Sequence, residues 1–266
     1  MKKMRPNLDA QYWDSVSDNI QRYHLEQNIS VYKRDEHIKI IKKWSGGLKG
    51  KRILKTDLFE EAFGEDSFLP WLLSQGALVA GMDISSKIAY KAYSRVNQSD
   101  VYFGNCVCSD IRQCAFKDNV FDIIVSNSTL DNLTLDNVPL SLAELRRILK
   151  PSGILILTLD NADNPFYALG YFLAKKWRTQ AYYQDRCYSL RESQFVACQA
   201  GFKVLETTAI VHIPTPFNKL ALWCKARGGP LMERFIRRLI VLFSFQEHLS
   251  SRYRTGWFLA LKLGKV

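Results

Sequence analysis

Two acidic residues stand where predicted strands end, and the side chain of the first, Asp83, could bind a ribose. Asp83 follows the apolar run 77–82, and Asp110 follows the run 101–108. A carboxylate at the end of the second strand of a βαβ unit can accept hydrogen bonds from both hydroxyls of a ribose. Capping of the helix that follows is the structural alternative for these acids, because turns between strands and helices favour the same residue types.

The residues between 104 and 131 join two of these strands. Asp110 lies between them, and the second strand, 120–125, is an almost continuous apolar run that stops at Ser126-Asn127-Ser128. Such a run, bounded by turn residues, is typical of a parallel strand that is buried on both faces.

Alternating strands and helices must position these acids. The apolar periodicity predicts further strands at 53–54, 154–159, 202–211 and 255–263. Helices are predicted within 9–45 and at 85–96, 138–149 and 190–200. Asp136 is predicted to cap the helix at 138–149. This alternation predicts a mostly parallel sheet with helices on both faces. The last strand alternates Trp257, Leu259, Leu261 and Leu263, which favours an antiparallel, partly exposed edge strand.

Composition predicts one globular domain of 266 residues, because 47% of the residues are hydrophobic and 24% are charged. We divide it into an N-terminal helical cap (1–48), a core (49–213 and 255–266) and a helical insert (214–254). The net charge of +11 indicates a surface that attracts anions, although a solvated basic surface without a dedicated partner explains it equally well.

The cysteine pattern and the N-terminus predict a cytoplasmic protein. The six cysteines include no CxxC pair, which favours reduced thiols and no metal site, and MKKMRPNLDAQYW contains no apolar segment typical of a secretory signal.

The insert concentrates positive charge, with eight Lys or Arg residues against Glu233 and Glu247. Its apolar run, 239–245, is too short to span a bilayer. A basic amphipathic helix here could lie on the inner face of an anionic membrane, cover the active site, or pack on the core with a solvated basic face.

The order of these segments resembles that of class I S-adenosylmethionine-dependent methyltransferases. The resemblance covers roughly residues 50–213 and the last strand, and depends on CAFKDNVFDIIVSNSTLDNL at 114–133 and ELRRILKPSGILIL at 144–157. It implies a Rossmann-like seven-stranded sheet and S-adenosylmethionine as cofactor. It also implies that Asp83 and the neighbouring Ile84 contact the ribose, that Asp110 and Ile111 contact the adenine, and that residues 126–131, beginning with Ser126 and Asn127, face the methyl group.

The first loop departs from this family. Lys55 stands where an acid is usual, and KTDLFEEAFG, residues 55–64, contains glycine only at its end. One interpretation is that Thr56, Asp57, Glu60 and Glu61 rebuild the pocket for the ligand's ammonium group while Lys55 pairs with its carboxylate. The other is a catalytically silent fold that serves as a binding or membrane-surface module.

For the reaction, Asp131 is the first candidate for a base because it lies in the loop expected near the methyl group, and His212 is the second. Aromatic and basic residues in the flanking regions suit a small or medium-sized acceptor, such as an anionic glycan, lipid or metabolite. A nucleic-acid methyltransferase is a further alternative, although no RNA- or DNA-binding module is recognisable. A nicotinamide dehydrogenase fits less well, since the phosphate-binding glycines are missing.

Overall fold

A computed structural model describes residues 9–20, 27–98, 102–177, 184–214 and 217–266. The parts of the predictions that fall on 1–8, 21–26, 99–101, 178–183 and 215–216 lie outside the described residues. The elements run in the following order: α1 (Ala10–Asn19), α2 (Gln27–Ser45), β1 (Arg52–Lys55), α3 (Phe59–Phe63), α4 (Leu69–Ser74), β2 (Leu78–Asp83), α5 (Ser86–Val96), β3 (Asn105–Cys108), β4 (Phe121–Asn127), α6 (Asn137–Ile148), β5 (Leu149–Asp160), α7 (Pro165–Trp177), α8 (Leu190–Gln199), β6 (Phe202–Ile210), α9 (Phe217–Ser244), α10 (Arg252–Thr255) and β7 (Phe258–Lys265).

The seven strands form one sheet in the order β3-β2-β1-β4-β5-β7-β6. Neighbouring strands from β3 to β5 pair in parallel, and β7 runs antiparallel to both β5 and β6. The predicted Rossmann-like, mostly parallel α/β fold with an antiparallel last strand is therefore confirmed. The carboxyl ends of β1 to β6 all meet at one edge of the sheet, where ligand sites of such folds lie.

The predicted edge position of the last strand is wrong. β7 lies between β5 and β6, pairing Asp160 with Phe258 on one side and Ile210 with Phe258 on the other. Phe258 and Ala260 alternate with Leu259 and are also buried, so the strand has two apolar faces. An internal strand needs both faces to be apolar, and here β6 forms the edge.

Helices cover both faces of the sheet. One core cluster joins α2, α5 and α9 to strand residues such as Ile53 and Ile123, and the other joins α6 and α8 to Leu54 and Ile124. Adjacent strand residues therefore point to opposite layers, as the two-residue period of a strand requires. Asp136 stands at the start of α6, but the prediction that its side chain caps the helix is wrong, since it makes no capping hydrogen bond.

The insert is helical as predicted, since α9 and α10 fill most of it, with a kink in α9 at Gly229, where φ is 56°. Within the described ranges, no helix is long and apolar enough to cross a membrane. The division into cap, core and insert domains stays a prediction.

Candidate functional site

A cleft lies at the carboxyl ends of β1, β2 and β3 and beside the loop after β4. Six of the predicted cofactor-binding residues line it: Thr56, Asp57, Asp83, Ile84, Asp110 and Ile111. They come from three separate strand ends, so only the parallel sheet brings them together. Thr129, from the loop 126–131 predicted to face the methyl group, also lines the cleft. The remaining lining residues were not predicted as ligand contacts: Trp13, Phe59, Ile88, Ser109, Arg112, Asn132 and Leu133.

Asp83 is buried at the end of β2 and connects two loops. Its Oδ2 accepts the N–H of Leu58 at 3.1 Å, and its Oδ1 accepts the N–H of Ser85 at 2.9 Å. Burial raises the pKa of this carboxyl to about 6 against the lowering effect of these bonds. Each oxygen retains a second lone pair, so the carboxylate can still accept hydrogen bonds from a ribose diol.

Asp110 is held in place by Arg112. The guanidinium bonds both carboxylate oxygens, with Nη2 to Oδ2 at 2.6 Å and Nε to each oxygen at 2.9 Å. Burial raises the pKa of Asp110, but the hydrogen bonds from Arg112 outweigh it and leave the pKa below its ordinary value. Asp110 is therefore ionised at neutral pH, and its carboxylate could accept a hydrogen bond from a ligand's amine in addition to those from Arg112. Sequence reasoning missed Arg112, although the i, i+2 spacing of opposite charges was visible.

The position of the first loop depends on a glycine of the neighbouring strand and not on a glycine of its own. A Cβ on Gly81 of β2 would lie 2.7 Å from Leu58 Cδ2 and 2.9 Å from Phe103 Cζ. Gly81 thus leaves the space that the Leu58 side chain fills, while the Leu58 N–H binds Asp83. The loop is fixed by an apolar anchor and one carboxylate, so a glycine-rich turn is not needed to hold it.

Lys55 lies beneath the cleft and does not line it. Its buried Nζ is 2.8 Å from Glu61 Oε2 and 3.5 Å from Glu60 Oε2. Burial alone would lower the pKa of this ammonium, but Glu61 and Glu60 raise it above its ordinary value. Lys55 and Glu61 neutralise each other inside the protein. Neither side chain is therefore placed to bind the carboxylate or the ammonium group of a ligand, contrary to the first interpretation.

The same buried charge network reaches the helix α2. Lys33 Nζ lies 2.7 Å from Asp66 Oδ2 and 3.6 Å from Glu60 Oε1. The segment after β1 is therefore held between a lysine of its own strand and a lysine of α2. Asp57 is the acid of this segment that lines the cleft. Its pKa is well above its ordinary value, mainly because the carboxyl is buried and also because the negative charge of Glu60 is close.

Ser126 and Asn127 lie behind the cleft and not in its lining. β4 continues through both, and Ser126 Oγ accepts the Thr56 hydroxyl at 3.1 Å while Asn127 Oδ1 accepts that of Thr158 at 2.8 Å. The chain turns only at Ser128, where φ is 49°. The residues that reach the cleft are consequently Thr129, Asn132 and Leu133.

Asp131 is buried in the short 3-10 helix of this loop, Leu130–Asn132, and does not line the cleft. Its Oδ2 accepts the N–H of Asp160 at 3.2 Å, whereas its Oδ1 has no hydrogen-bond partner in the described chain. Burial and the carboxylate of Asp160 raise the pKa of Asp131 well above its ordinary value. Burial also raises the pKa of Asp160, to about 7. The two buried carboxyls therefore form a pair in which the charge of Asp160 disfavours ionisation of Asp131.

His212 is a buried residue whose two ring nitrogens are both engaged. Nε2 lies 3.0 Å from the Ala209 carbonyl, so Nε2 carries the proton, and Nδ1 accepts the Thr255 hydroxyl at 2.9 Å. Burial lowers the pKa of the imidazole, which keeps it neutral. This arrangement argues against His212 as the base, because a proton could reach Nδ1 only after the Thr255 bond is broken.

A second cavity opens at the same edge of the sheet, beyond the ends of β5 and β6. Its walls include His212 and Pro214 after β6, Phe166 at the start of α7, and Phe243 of α9. It shares no lining residue with the first cleft.

Comparison with known proteins agrees with this geometry. Residues 60–157 match the family model described as a methyltransferase domain. In Aspergillus luteorubrus, "Probable methyltransferase ltbC" is 31% identical over 111 residues, which are 39% of this chain and 38% of that protein. The match therefore spans less than half of the curated relative.

Solved structures share the fold at low sequence identity. An S-adenosylmethionine-dependent methyltransferase from Methanosarcina mazei has a TM-score of 0.55 and 13% identity over 85% of this chain and 97% of its own. The [4+2]-cyclase SpnF has a TM-score of 0.55 and 14% identity over 96% and 92% of the two chains. Such likeness establishes the fold alone, and together with the family match it implies S-adenosylmethionine as the cofactor.

The lining of the cleft fits that cofactor. Ile84, Ile88, Ile111 and Leu133 supply apolar contacts for a flat base, and Asp83 retains acceptors for a ribose. Asp57 supplies a carboxyl group whose ionised form a sulfonium or an ammonium group would stabilise, against the burial that raises its pKa.

Proposed function

We propose that this chain, which belongs to the class I S-adenosylmethionine-dependent methyltransferase superfamily, transfers a methyl group to a small or medium-sized acceptor. Bound S-adenosylmethionine supplies an electrophilic methyl carbon. Asp83 orients the ribose, Asp110 and Ile111 receive the adenine, and Asp57 attracts the positively charged end. Holding the nucleophile in line with the methyl carbon is the largest contribution a protein makes to such a displacement.

The observation that carries this proposal is the convergence of Asp57, Asp83 and Asp110 in one cleft with apolar walls. Calorimetric titration with S-adenosylmethionine and with its demethylated product tests it. We expect saturable heat from both ligands at one site per chain. Absence of heat at high ligand concentration would refute the enzyme and leave the non-catalytic alternative.

We further propose that the Asp131–Asp160 pair receives the acceptor's proton. S-adenosylmethionine would supply the methyl group and keep the electron pair of its carbon–sulfur bond, and the Asp131–Asp160 pair would take the proton that the acceptor loses. This proposal is supported by the pKa of about 7 for Asp160 and by the unpartnered Oδ1 of Asp131. Because neither carboxyl lines the cleft, a bridging water would have to carry the proton from the acceptor to the pair. We expect Asp131→Asn to bind S-adenosylmethionine normally and to turn over more slowly, and unchanged turnover would exclude Asp131.

The acceptor class proposed is an anionic glycan, lipid or metabolite, because of the net charge of +11. A nucleic-acid acceptor is the alternative that this charge also permits. Retention of a generic RNA oligomer, with an affinity that falls steeply with salt, would favour it.

A membrane-surface role is the second candidate function, and the outer face of α9 favours it. Leu231, Phe235 and Leu242 recur at helical spacing and are exposed, with Leu231 at 78%. Arg234 and Arg238 are also exposed and lie three residues after Leu231 and Phe235, which places them on the same face. Apolar and basic residues on one exposed helix face suit the headgroup region of an anionic bilayer.

Vesicle co-sedimentation tests this role. We expect binding to vesicles containing an anionic phospholipid and little binding to neutral ones, and loss of binding when Leu231, Phe235 and Leu242 are changed to Ser. All three are exposed, so the fold should tolerate the changes. Equal sedimentation of the wild type and the triple variant would refute it.

A further inference from the structure

The second cavity has the dimensions of a ligand site. Its volume is about 330 Å³, which lies at the lower end of the range for small-molecule pockets. Phe166, Ile213, Pro214 and Phe243 give it largely apolar walls. These residues come from the start of α7, the segment after β6 and α9, so the cavity exists only once the insert has packed against the sheet.

Most polar groups in the wall are already satisfied within the protein. Asn164 donates to the carbonyls of Thr255 and Gly256 at 3.0 and 3.1 Å and accepts the N–H of Phe166 at 3.1 Å. His212 is bonded at both nitrogens. These groups fix the shape of the wall and offer little to a ligand.

Two side chains differ from the rest. Arg254 stands exposed at the cavity, and neither its guanidinium nor the side-chain amide of Gln246 has a hydrogen bond or ion pair with any described residue. A guanidinium is charged at every physiological pH and presents its donors in a planar fork that matches a carboxylate or sulfonate. The cavity therefore combines apolar walls with one uncompensated cation and one amide.

We infer that the second cavity binds an amphipathic anion, a molecule with an apolar chain or ring and a single anionic group. The apolar part fills the space between Phe166, Ile213 and Phe243, and the anionic group bonds Arg254 with help from Gln246. This inference concerns binding alone. Because the cavity shares no residue with the cofactor cleft, the inference stands or falls separately from methyl transfer.

The fluorescent probe 8-anilinonaphthalene-1-sulfonate, an aromatic sulfonate, tests this inference on the full chain without cofactor. Decanoate serves as the anionic competitor, and decan-1-ol as a neutral competitor of the same chain length. The variants are Arg254→Gln, Arg254→Lys and, as matched control, Arg234→Gln, which removes an equally exposed charge from the outer face of α9.

We expect decanoate to displace the probe and decan-1-ol to do so about tenfold less well, as loss of a charge-assisted hydrogen bond implies. Arg254→Gln should weaken decanoate binding about tenfold, Arg254→Lys should restore part of it, and Arg234→Gln should leave it unchanged. Equal decanoate affinity in Arg254→Gln and wild type would overturn the inference. Greater loss in Arg234→Gln would also overturn it, since the ligand would then lie on the helix surface.

Discussion

The cofactor cleft and the second cavity lie at the same edge of one sheet but are built in opposite ways. The cleft gathers acids from neighbouring strand ends, and its loop rests on buried ion pairs such as Lys55 with Glu61. The second cavity is apolar, and its one cation, Arg254, is exposed and unpaired in the described structure. The cleft thus suits a cationic nucleoside, whereas the cavity suits an anion with an apolar body.

This difference also separates charge that supports the fold from charge that is available to a ligand. A buried pair must be satisfied internally, because an unpaired charge away from water is costly. The side chain of Arg254 is exposed and has no partner among the described residues, so it can bind a ligand at little cost to stability. Four substitutions test the contrast, in descending order of expected effect.

The first prediction concerns the support beneath the cleft. Lys55→Met should lower the free energy of unfolding by about 3–5 kcal/mol, because Glu61 loses its cationic partner inside the protein and Glu60 keeps only Lys33. Arg254→Met is the matched change at the second cavity and should alter stability by less than about 0.5 kcal/mol. Urea unfolding of both variants measures this. Equal effects would remove the distinction between the two regions.

The second prediction concerns Asp160, whose pKa burial raises to about 7. In the range between its ordinary pKa and 7 the native state binds more protons than the unfolded state, so this group makes stability fall as pH rises. Asp160→Asn removes that contribution. The free energy of unfolding of the variant, minus that of wild type, should therefore rise by on the order of 2 kcal/mol from pH 5 to pH 8. Urea unfolding at each pH measures this difference.

A parallel dependence on pH in wild type and Asp160→Asn would contradict this prediction and would assign the proton to another group. Asp118→Asn provides the control, since Asp118 is an exposed partner of Arg147. Its substitution removes a surface carboxyl without touching the buried pair, so it shows how much of any change arises from the loss of a carboxyl alone.

The third prediction separates the two sites by affinity. Asp83→Asn should weaken S-adenosylmethionine binding by about 30-fold, equivalent to ~2 kcal/mol, because hydrogen bonds from the ribose would lose a charged acceptor. The probe in the second cavity should bind as before. Calorimetry and probe fluorescence on one preparation give both numbers, and weakening of both would indicate a general loss of structure.

The sequence predicted the cleft far better than the cavity for a physical reason. Asp83 and Asp110 each follow a strand in the chain, and parallel strands end at one edge, so the local pattern already implied their meeting. Arg254 and Phe166 are far apart in the chain and line the same cavity only through the packing of the insert. Nothing in their local sequence encodes that arrangement.

The failures within the cleft have the same origin. Whether Lys55 faced a ligand or Glu61 depended on side-chain packing beneath the loop, and Ser126 and Asn127 were misplaced because β4 extends two residues beyond its apolar run. The edge assignment of β7 counted only alternate residues and overlooked Phe258 and Ala260, which make its second face apolar.

The last and smallest prediction concerns Trp13, which lines the cleft although it is distant from it in the chain. The helix α1 is held there by Asp14, whose carboxylate accepts the Ser85 hydroxyl at 2.5 Å. Trp13→Ala should weaken S-adenosylmethionine binding by about fivefold, since an aromatic contact contributes about 1 kcal/mol. Tyr90→Ala, on the exposed surface of α5, provides the aromatic control. Unchanged affinity in Trp13→Ala would mean that α1 only packs against the core. Binding in the cleft would then depend on the sheet and its loops, whereas the second cavity depends on the helices of the insert.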